Sequence, residues 1–135
     1  MITHRRVWPL IVVMALLSVA CAALGVAPAP PPGTGLAVVA TAGPTCPVET
    51  IPPDPACAPR PVAGATILIK AGDGTTVARL VTDGTGTATV ALQPGRYAVE
   101  PQPAAGLMGT AAPQEIVVVA GTITPVPLAY DTCIR

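Results

Sequence analysis

Residues 65–84 read ATILIKAGDGTTVARLVTDG, and this stretch decides the fold. It contains two runs rich in Ile, Leu, Val and Thr, each followed by an Asp-Gly pair. Such residues favour strands, and Asp-Gly favours the tight turns that join antiparallel strands. Successive side chains of a strand alternate in direction, which puts Val77, Arg79 and Val81 on one side of the second run. We expect that side to be exposed and the intervening side chains to face a core.

The same pattern continues in both directions from this stretch. Short Val- and Thr-rich runs are separated by Gly and Pro, and no window keeps a helical stripe of apolar residues. In the run that contains Tyr97 and Val99, these two side chains point the same way, and we expect them to be buried. The sequence predicts an all-β domain over 36–135, an antiparallel β-sandwich of about seven strands. The runs are 36–40, 65–70, 76–82, 87–92, 96–100, 115–119 and 126–130.

The composition excludes several classes of protein. Of 135 residues, 10% are charged, and seven Lys and Arg balance seven Asp and Glu. A nucleic-acid-binding protein needs a basic patch to neutralise phosphates, so we expect no nucleic-acid partner. Hydrophobic residues make up 51% of the chain, which argues against disorder, and 18 Pro with 13 Gly argue against a helical bundle.

The first 27 residues have the pattern of an export signal. Arg5 and Arg6 precede a run without charged residues that extends from Val7 to Ala27. A basic start, an apolar run and small residues at its end are typical of a secretory signal, and the retained positive charge directs the following chain outward. We therefore expect an apolar helix here and residues 28–135 outside the cytoplasm.

Three fates of this segment stay open. Residues 17–21 resemble a bacterial lipobox, in which the thiol of Cys21 is lipidated and becomes the new N-terminus, although Ser18 replaces the usual Leu. Residues 20–22 also fit the small-residue pattern of signal peptidase, which would release the protein. As an uncleaved helix, residues 7–27 would measure roughly 30 Å, enough to span a bilayer. The expected location is the outer face of the cell membrane, with secretion as the alternative.

Residues 28–35 form a Pro- and Gly-rich linker, and the cysteines beyond it suggest a disulfide. Proline lacks the N–H that a helix or sheet needs, so the linker reads as an extended spacer. Outside the cytoplasm, Cys46 and Cys57 are expected to form a disulfide, which would contribute about 3 kcal/mol by loop closure. The alternative of a zinc site is weak, because four ligands in paired spacing are missing. Cys133 is left as a free thiol, an intermolecular bridge or a small buried residue.

Three stretches carry a resemblance to a known family. Residues 61–67 (PVAGATI), 82–88 (TDGTGTA) and 92–97 (LQPGRY) have turn residues at the positions typical of carboxypeptidase regulatory-like domains. These belong with the collagen-adhesin B-type and transthyretin-like sandwiches, and the resemblance covers about 36–131. It implies a prealbumin-like or Ig-like sandwich. The family serves as stalks, linkers and adhesive or accessory modules, so it implies little about a specific function.

Two features of such relatives can be compared with this sequence. Collagen-adhesin B-type domains often join a first-strand Lys to an Asn or Asp of the last strand, assisted by a Glu. Glu100 and Asp131 match two of these places, but the first strand has no Lys and Lys70 comes one strand later, so we expect no such bond. Other relatives bind sugars on exposed aromatic rings, for which only Tyr97 and Tyr130 are available here.

The sequence lacks the residues that catalysis usually requires. The single His is His4, so the exported part has no imidazole to act as a base, and no phosphate-binding or dinucleotide-binding glycine motif is present. Asp73 and Asp83 each precede Gly, where a turn role is expected, and a calcium site there would need further oxygen ligands. We expect a protein without enzymatic activity, cofactor or metal.

The sequence thus predicts a membrane-tethered, non-catalytic module with a structural or protein-interaction role. An exposed edge strand or the loop 46–57 is the expected contact surface for a protein or cell-surface partner. The alternative is a carbohydrate- or small-ligand-binding module of the same fold, and an enzyme built on unrecognised carboxylates is a third reading.

Overall fold

The computed structural model describes residues 25–48 and 50–134 and is almost entirely β-structure. It has one short 3₁₀ turn, Pro55–Cys57, and eight strands in the described part. The strands are β1 (Gly35–Gly43), β2 (Arg60–Pro61), β3 (Thr66–Ala71), β4 (Thr76–Val81), β5 (Thr87–Ala91), β6 (Gly95–Pro101), β7 (Gln114–Val118) and β8 (Ile123–Asp131). All seven predicted strands are present. The eighth, β2, has two residues and is too short to produce a pattern in the sequence.

The strands form two sheets packed as a sandwich, as predicted. In one sheet the order is β4-β3-β6-β7, and every pair is antiparallel. In the other, β1 is central: β5 and β2 pair antiparallel along one of its edges, and β8 pairs along the other.

The β1–β8 pair is parallel, which differs from the expectation of a wholly antiparallel sandwich. The register runs without a break from Gly35 beside Ile123 to Gly43 beside Asp131. Parallel neighbours need a long connection, and here the other six strands supply it. The first and last strands of the sandwich are therefore hydrogen-bonded to each other over their full length.

Aliphatic side chains from both sheets fill the core. Strands β1 and β8 alternate between buried and exposed positions, as strands with one face on a core do. The alternation predicted for β4 is confirmed, because Leu80 is buried while Val77, Arg79 and Val81 are exposed. The fully buried side chains include Leu36, Val38, Ile67, Ile69, Val99, Val118, Val126, Leu128 and Tyr130.

The sandwich begins at Thr34, within the stretch that the sequence assigned to the linker. Thr34 is buried, and its Oγ1 accepts a hydrogen bond of 2.8 Å from the N–H of Gly121. Its carbonyl oxygen accepts from the N–H of Leu92, which extends the β1–β5 ladder by one residue. Hydrogen bonds, which the composition does not reveal, thus tie the end of the linker to the domain.

The expected apolar helix and the lipidation site Cys21 lie in residues 1–24, outside the described residues. Within 25–48 and 50–134, no helix has the length and hydropathy needed to cross a membrane.

Candidate contact surfaces

The loop between β1 and β2 is closed by a disulfide, as predicted. Cys46 and Cys57 are bonded, with their Cα atoms 5.3 Å apart. The two ends of the loop are also joined by the Thr45 hydroxyl, which donates to the carbonyl oxygen of Ala58 at 3.3 Å. Inside the loop, the Asp54 carboxylate accepts from the N–H of Ala56 at 2.9 Å and caps the 3₁₀ turn. Side-chain bonds and a covalent link therefore hold a loop that has no sheet ladder of its own.

This loop presents apolar side chains to solvent. Ile51 is 100% exposed and Val48 is 68% exposed. The hydroxyl of Thr50 donates to the carbonyl oxygen of Pro52 at 3.0 Å. This bond joins the two residues that flank Ile51 and restrains the chain there. A fully exposed Ile on a restrained loop gains nothing from folding, so its position is available for contact with another molecule.

Neither tyrosine is presented as a platform for sugar stacking. Tyr130 is 1% exposed, its hydroxyl donates to the carbonyl oxygen of Gln102 at 3.2 Å, and burial raises the pKa of the phenol. Tyr97 packs partly buried against the core, and its hydroxyl donates to the carbonyl oxygen of Gln93 at 2.8 Å. The exposed aromatic surface on which the carbohydrate alternative depended is therefore not formed by these two residues.

The two Asp-Gly aspartates act in turns. The Asp73 carboxylate accepts from the N–H of Thr75, which is the main reason that its pKa is lowered. Asp83 accepts from the hydroxyl of Thr85 and from the N–H groups of Thr87 and Thr85. These bonds lower the pKa of Asp83, the Thr85 hydroxyl most and the Thr87 N–H next. Both carboxylates accept hydrogen bonds from their own turns. In the described residues no group of three or more His, Cys, Asp or Glu is arranged to hold a metal ion.

The three residues compared with an isopeptide site do not form one cluster. Lys70 on β3 forms an ion pair of 2.6 Å with Glu100 on β6, on the outer face of their sheet. Asp131 ends β8 in the other sheet, where its carboxylate accepts from the N–H of Cys133 at 2.7 Å. The three residues are thus distributed over both sheets. Cys133 itself is an exposed free thiol, so it is not the small buried residue that was one of the expectations.

The outer faces of the two sheets differ in charge. The outer face of β3, β6 and β7 carries Lys70, Arg96, Glu100 and Glu115 around a groove of about 570 Å³. The outer face of β5, β1 and β8 carries small side chains such as Thr89, Ala37 and Pro127, with no charge between Gly35 and Thr41. Lys70 and Glu115 lie in one row across the sheet because both are paired with Ala98 of β6. The alternation of side chains along a strand decides which face a residue occupies, whereas this row depends on the strand order and register.

Comparison with known proteins identifies the fold. No protein-family model and no curated protein matches the chain. Among solved structures, the chain is similar to the Bacillus anthracis TIE protein, with 18% identity and a TM-score of 0.55 over 73% of this chain and 16% of that one. It is also similar to GBS52, the minor pilin of the Gram-positive pathogen Streptococcus agalactiae, with 15% identity and a TM-score of 0.56 over 73% of this chain and 44% of that one. The chain spans less than half the length of either protein, and what it shares with them is the β-sandwich fold.

Proposed function

We propose that this chain is a non-catalytic β-sandwich module of a protein exposed on the outer side of the cell membrane, and that it binds a partner protein through the Cys46–Cys57 loop. The observation that carries the proposal is Ile51, which is fully exposed on a loop closed by a disulfide. Because the disulfide restrains the loop before binding, less conformational entropy is lost when a partner binds. A restrained loop with an exposed apolar side chain is therefore suited to recognition.

The available side chains support a binding role rather than a catalytic one. Residues 25–134 contain no His, and the Asp73 and Asp83 carboxylates are engaged in turns. A general base must reach the proton that it removes, and these groups already accept local hydrogen bonds. The resemblance to carboxypeptidase regulatory-like and collagen-adhesin B-type domains, and the shared fold with a minor pilin, agree with a structural or adhesive module.

Attachment to the membrane is part of the proposal. The basic start and apolar run of residues 1–27 direct the domain outward, and Cys21 would carry the lipid. Replacing Cys21 by Ser and fractionating the cells tests this step. Release of the protein from the membrane or accumulation of an unprocessed form without lipid supports lipidation. A variant that behaves like the wild type, membrane-bound with its leader in both cases, would show an uncleaved anchor instead.

The loop contact is tested by crosslinking in the native host. A photo-crosslinking side chain replaces Ile51 in one variant. In the control variant it replaces Val119, another exposed apolar residue, which follows β7. We expect a discrete crosslinked partner from position 51 alone, competed by excess wild-type protein and not by the Ile51→Asp variant. Equal crosslinking from both positions, or none from position 51, would refute the loop as the contact surface.

A further inference from the structure

Three of the four outer sheet edges of the sandwich are wholly or partly closed to further strands. Edge β8 contains Pro125 and Pro127, which have no N–H to offer. The carbonyl oxygen of Pro127 accepts from Nε2 of Gln114 on β7 at 2.7 Å, so this carbonyl faces β7 and not β1. On β7, the carbonyl oxygen of Val117 accepts from the hydroxyl of Thr124 at 3.4 Å. Edges β7 and β8 thus cover each other.

Edge β5 is closed at its first residue by the preceding turn. The carbonyl oxygen of Thr87 accepts from the N–H of Asp83, and the N–H of Thr87 donates to the Asp83 carboxylate. This leaves Thr89 and Ala91, whose side chains offer a partner strand neither charge nor apolar bulk. A sheet edge capped by a turn and carrying only small side chains is a poor template for specific pairing.

Edge β4 meets this turn only beyond its last residue, where the N–H of Asp83 donates to the carbonyl oxygen of Thr87 on β5. The edge is open at the two preceding outward positions, Val81 and Arg79. Both backbone groups of Thr82 bond toward β3, to the carbonyl oxygen of Ala65 and the N–H of Gly64. Because backbone groups alternate along a strand, the N–H and C=O groups of Arg79 and Val81 point the other way, out of the sheet. In the part of the chain that the structure describes, these four groups accept or donate no hydrogen bond.

The exposed side chains of β4 give this edge a chemical preference. Val77 and Val81 are 46% and 57% exposed on the outer face, with Arg79 between them. No carboxylate of the described residues lies within ion-pair distance of Arg79. A neighbouring strand would bring its own outer side chains to about 5 Å from these three.

We propose that β4 is a docking edge that takes up an extended segment of a partner protein as a fifth strand of the β4-β3-β6-β7 sheet. The segment carries an acidic side chain opposite Arg79, flanked at alternate positions by apolar side chains that cover Val77 and Val81. Main-chain hydrogen bonds to Arg79 and Val81 supply affinity, and the charge pair with the two apolar contacts supplies selectivity. This inference goes beyond the proposed function, because it assigns a second contact surface, separate from the loop, and the chemistry of its partner.

A second copy of the chain fits this edge less well. Two β4 strands paired antiparallel would place two Arg79 guanidinium groups opposite each other or two positions apart on one face. Like charges at such positions destabilise a strand pair. Arg79 therefore selects against pairing between copies while it favours an acidic partner.

The test uses the full-length chain in detergent and two short synthetic peptides of alternating Val and Thr, one with a central Glu and one with a central Lys. We expect the Glu peptide to bind about five- to tenfold more tightly than the Lys peptide, and Arg79→Glu to reverse that order. Amide hydrogen exchange of Arg79 and Val81 should slow on binding. In Val81→Pro the outward N–H is lost without touching the bonds to β3, so binding should fall while the fold persists.

Several results would overturn the proposal. These are failure of both peptides to bind, protection of amides at β5 or β7 instead of β4, equal affinity for both peptides, or a β4-mediated dimer in sedimentation experiments. Circular dichroism of each variant verifies that the sandwich is intact. The Ile51→Asp variant should bind the Glu peptide like the wild type, so loss of the loop contact and loss of the edge contact are separate outcomes.

Discussion

The hydroxyl of Thr82 donates to the carbonyl oxygen of Val62, twenty residues earlier in the chain, at 2.5 Å. The Thr82 hydroxyl oxygen also accepts from the N–H of Ala65 at 2.9 Å, and Thr82 is 4% exposed. One side chain therefore satisfies two buried backbone groups where the chain leaves β2 and approaches β3. It also joins this segment to the end of β4.

Replacing Thr82 by Val keeps the shape and removes both bonds. Because an N–H and a carbonyl group would be left buried without partners, we expect the free energy of unfolding to fall by about 1–3 kcal/mol. Thr82→Ser is the matched control: it keeps the hydroxyl and loses one methyl group, so the loss should be about 1 kcal/mol. Denaturant unfolding of the three proteins gives the comparison, and a Ser variant as unstable as the Val variant would contradict it.

Gly86 and Gly64 have almost the same backbone conformation but different surroundings. Both have φ near +75°, yet a Cβ on Gly86 would lie 2.4 Å from the carbonyl oxygen of Ala40, whereas a Cβ on Gly64 meets nothing within 4 Å. We expect Gly64→Ala to lower stability by about 1 kcal/mol, from the left-handed conformation alone. Gly86→Ala should cost about 3 kcal/mol or more, since it also pushes β5 away from β1. Equal melting temperatures for the two variants would refute the steric contribution.

The Cys46–Cys57 disulfide is expected to stabilise the domain by closing a loop. With a sequence separation of 11, removing both cysteines should lower the free energy of unfolding by about 3 kcal/mol. The measurement is denaturant unfolding of Cys46→Ala/Cys57→Ala in a Cys133→Ser background, which prevents disulfide exchange with the exposed thiol. Reductant should destabilise the parent protein to a similar extent and leave the double variant unchanged.

The lowered pKa of Asp83 predicts that acid destabilises its turn. Hydrogen bonds from Thr85 and Thr87 favour the ionised carboxylate and lower its pKa below the ordinary value of 3.8. A group whose pKa is lowered on folding contributes stability that is present above its unfolded pKa and is lost as the pH falls through its folded pKa. The melting temperature of Asp83→Ala should therefore lie below that of the wild type at neutral pH, and the gap should narrow below about pH 4. A gap that stays constant down to acid pH would contradict this account.

The Lys70–Glu100 ion pair is expected to matter little for stability. The two side chains are 29% and 34% exposed, and solvent screens such pairs. A double-mutant cycle with Lys70→Met and Glu100→Gln should give a coupling of about 0.2–1 kcal/mol that decreases as salt is added. A larger coupling that is insensitive to salt would show that the pair is more buried than its exposure indicates.

The fold was predictable because its determinants are local. Alternation within β4 and the Asp-Gly turn at Asp83 each depend on residues close in sequence, and the structure confirms both. The pairing of β1 with β8 was not predictable, since the two strands are almost ninety residues apart and their alternation is the same whichever neighbour they have. Pro125 and Pro127 mark β8 as an edge strand but do not specify its partner or its direction.

The contact surfaces were likewise predictable only where they depend on residues close in sequence. The disulfide loop follows from two cysteines that are close in sequence, and the structure confirms it. The exposure of Arg79 was also expected from alternation, but its position on an unpaired edge was not. That position depends on the order of four strands and on which of the other edges are closed by Gln114, Thr124 and Asp83.

The parallel pairing of β1 with β8 has a mechanical consequence when the chain is pulled from both ends. Strand β1 begins at Gly35 and strand β8 ends at Asp131, and these two residues lie at opposite ends of one continuous ladder. Tension between these two points would load the whole row of β1–β8 hydrogen bonds in shear, so that they must rupture together instead of unzipping one by one. The first and last strands would therefore act as a mechanical clamp. Their hydrogen bonds would bear the load before force reached the six strands between them.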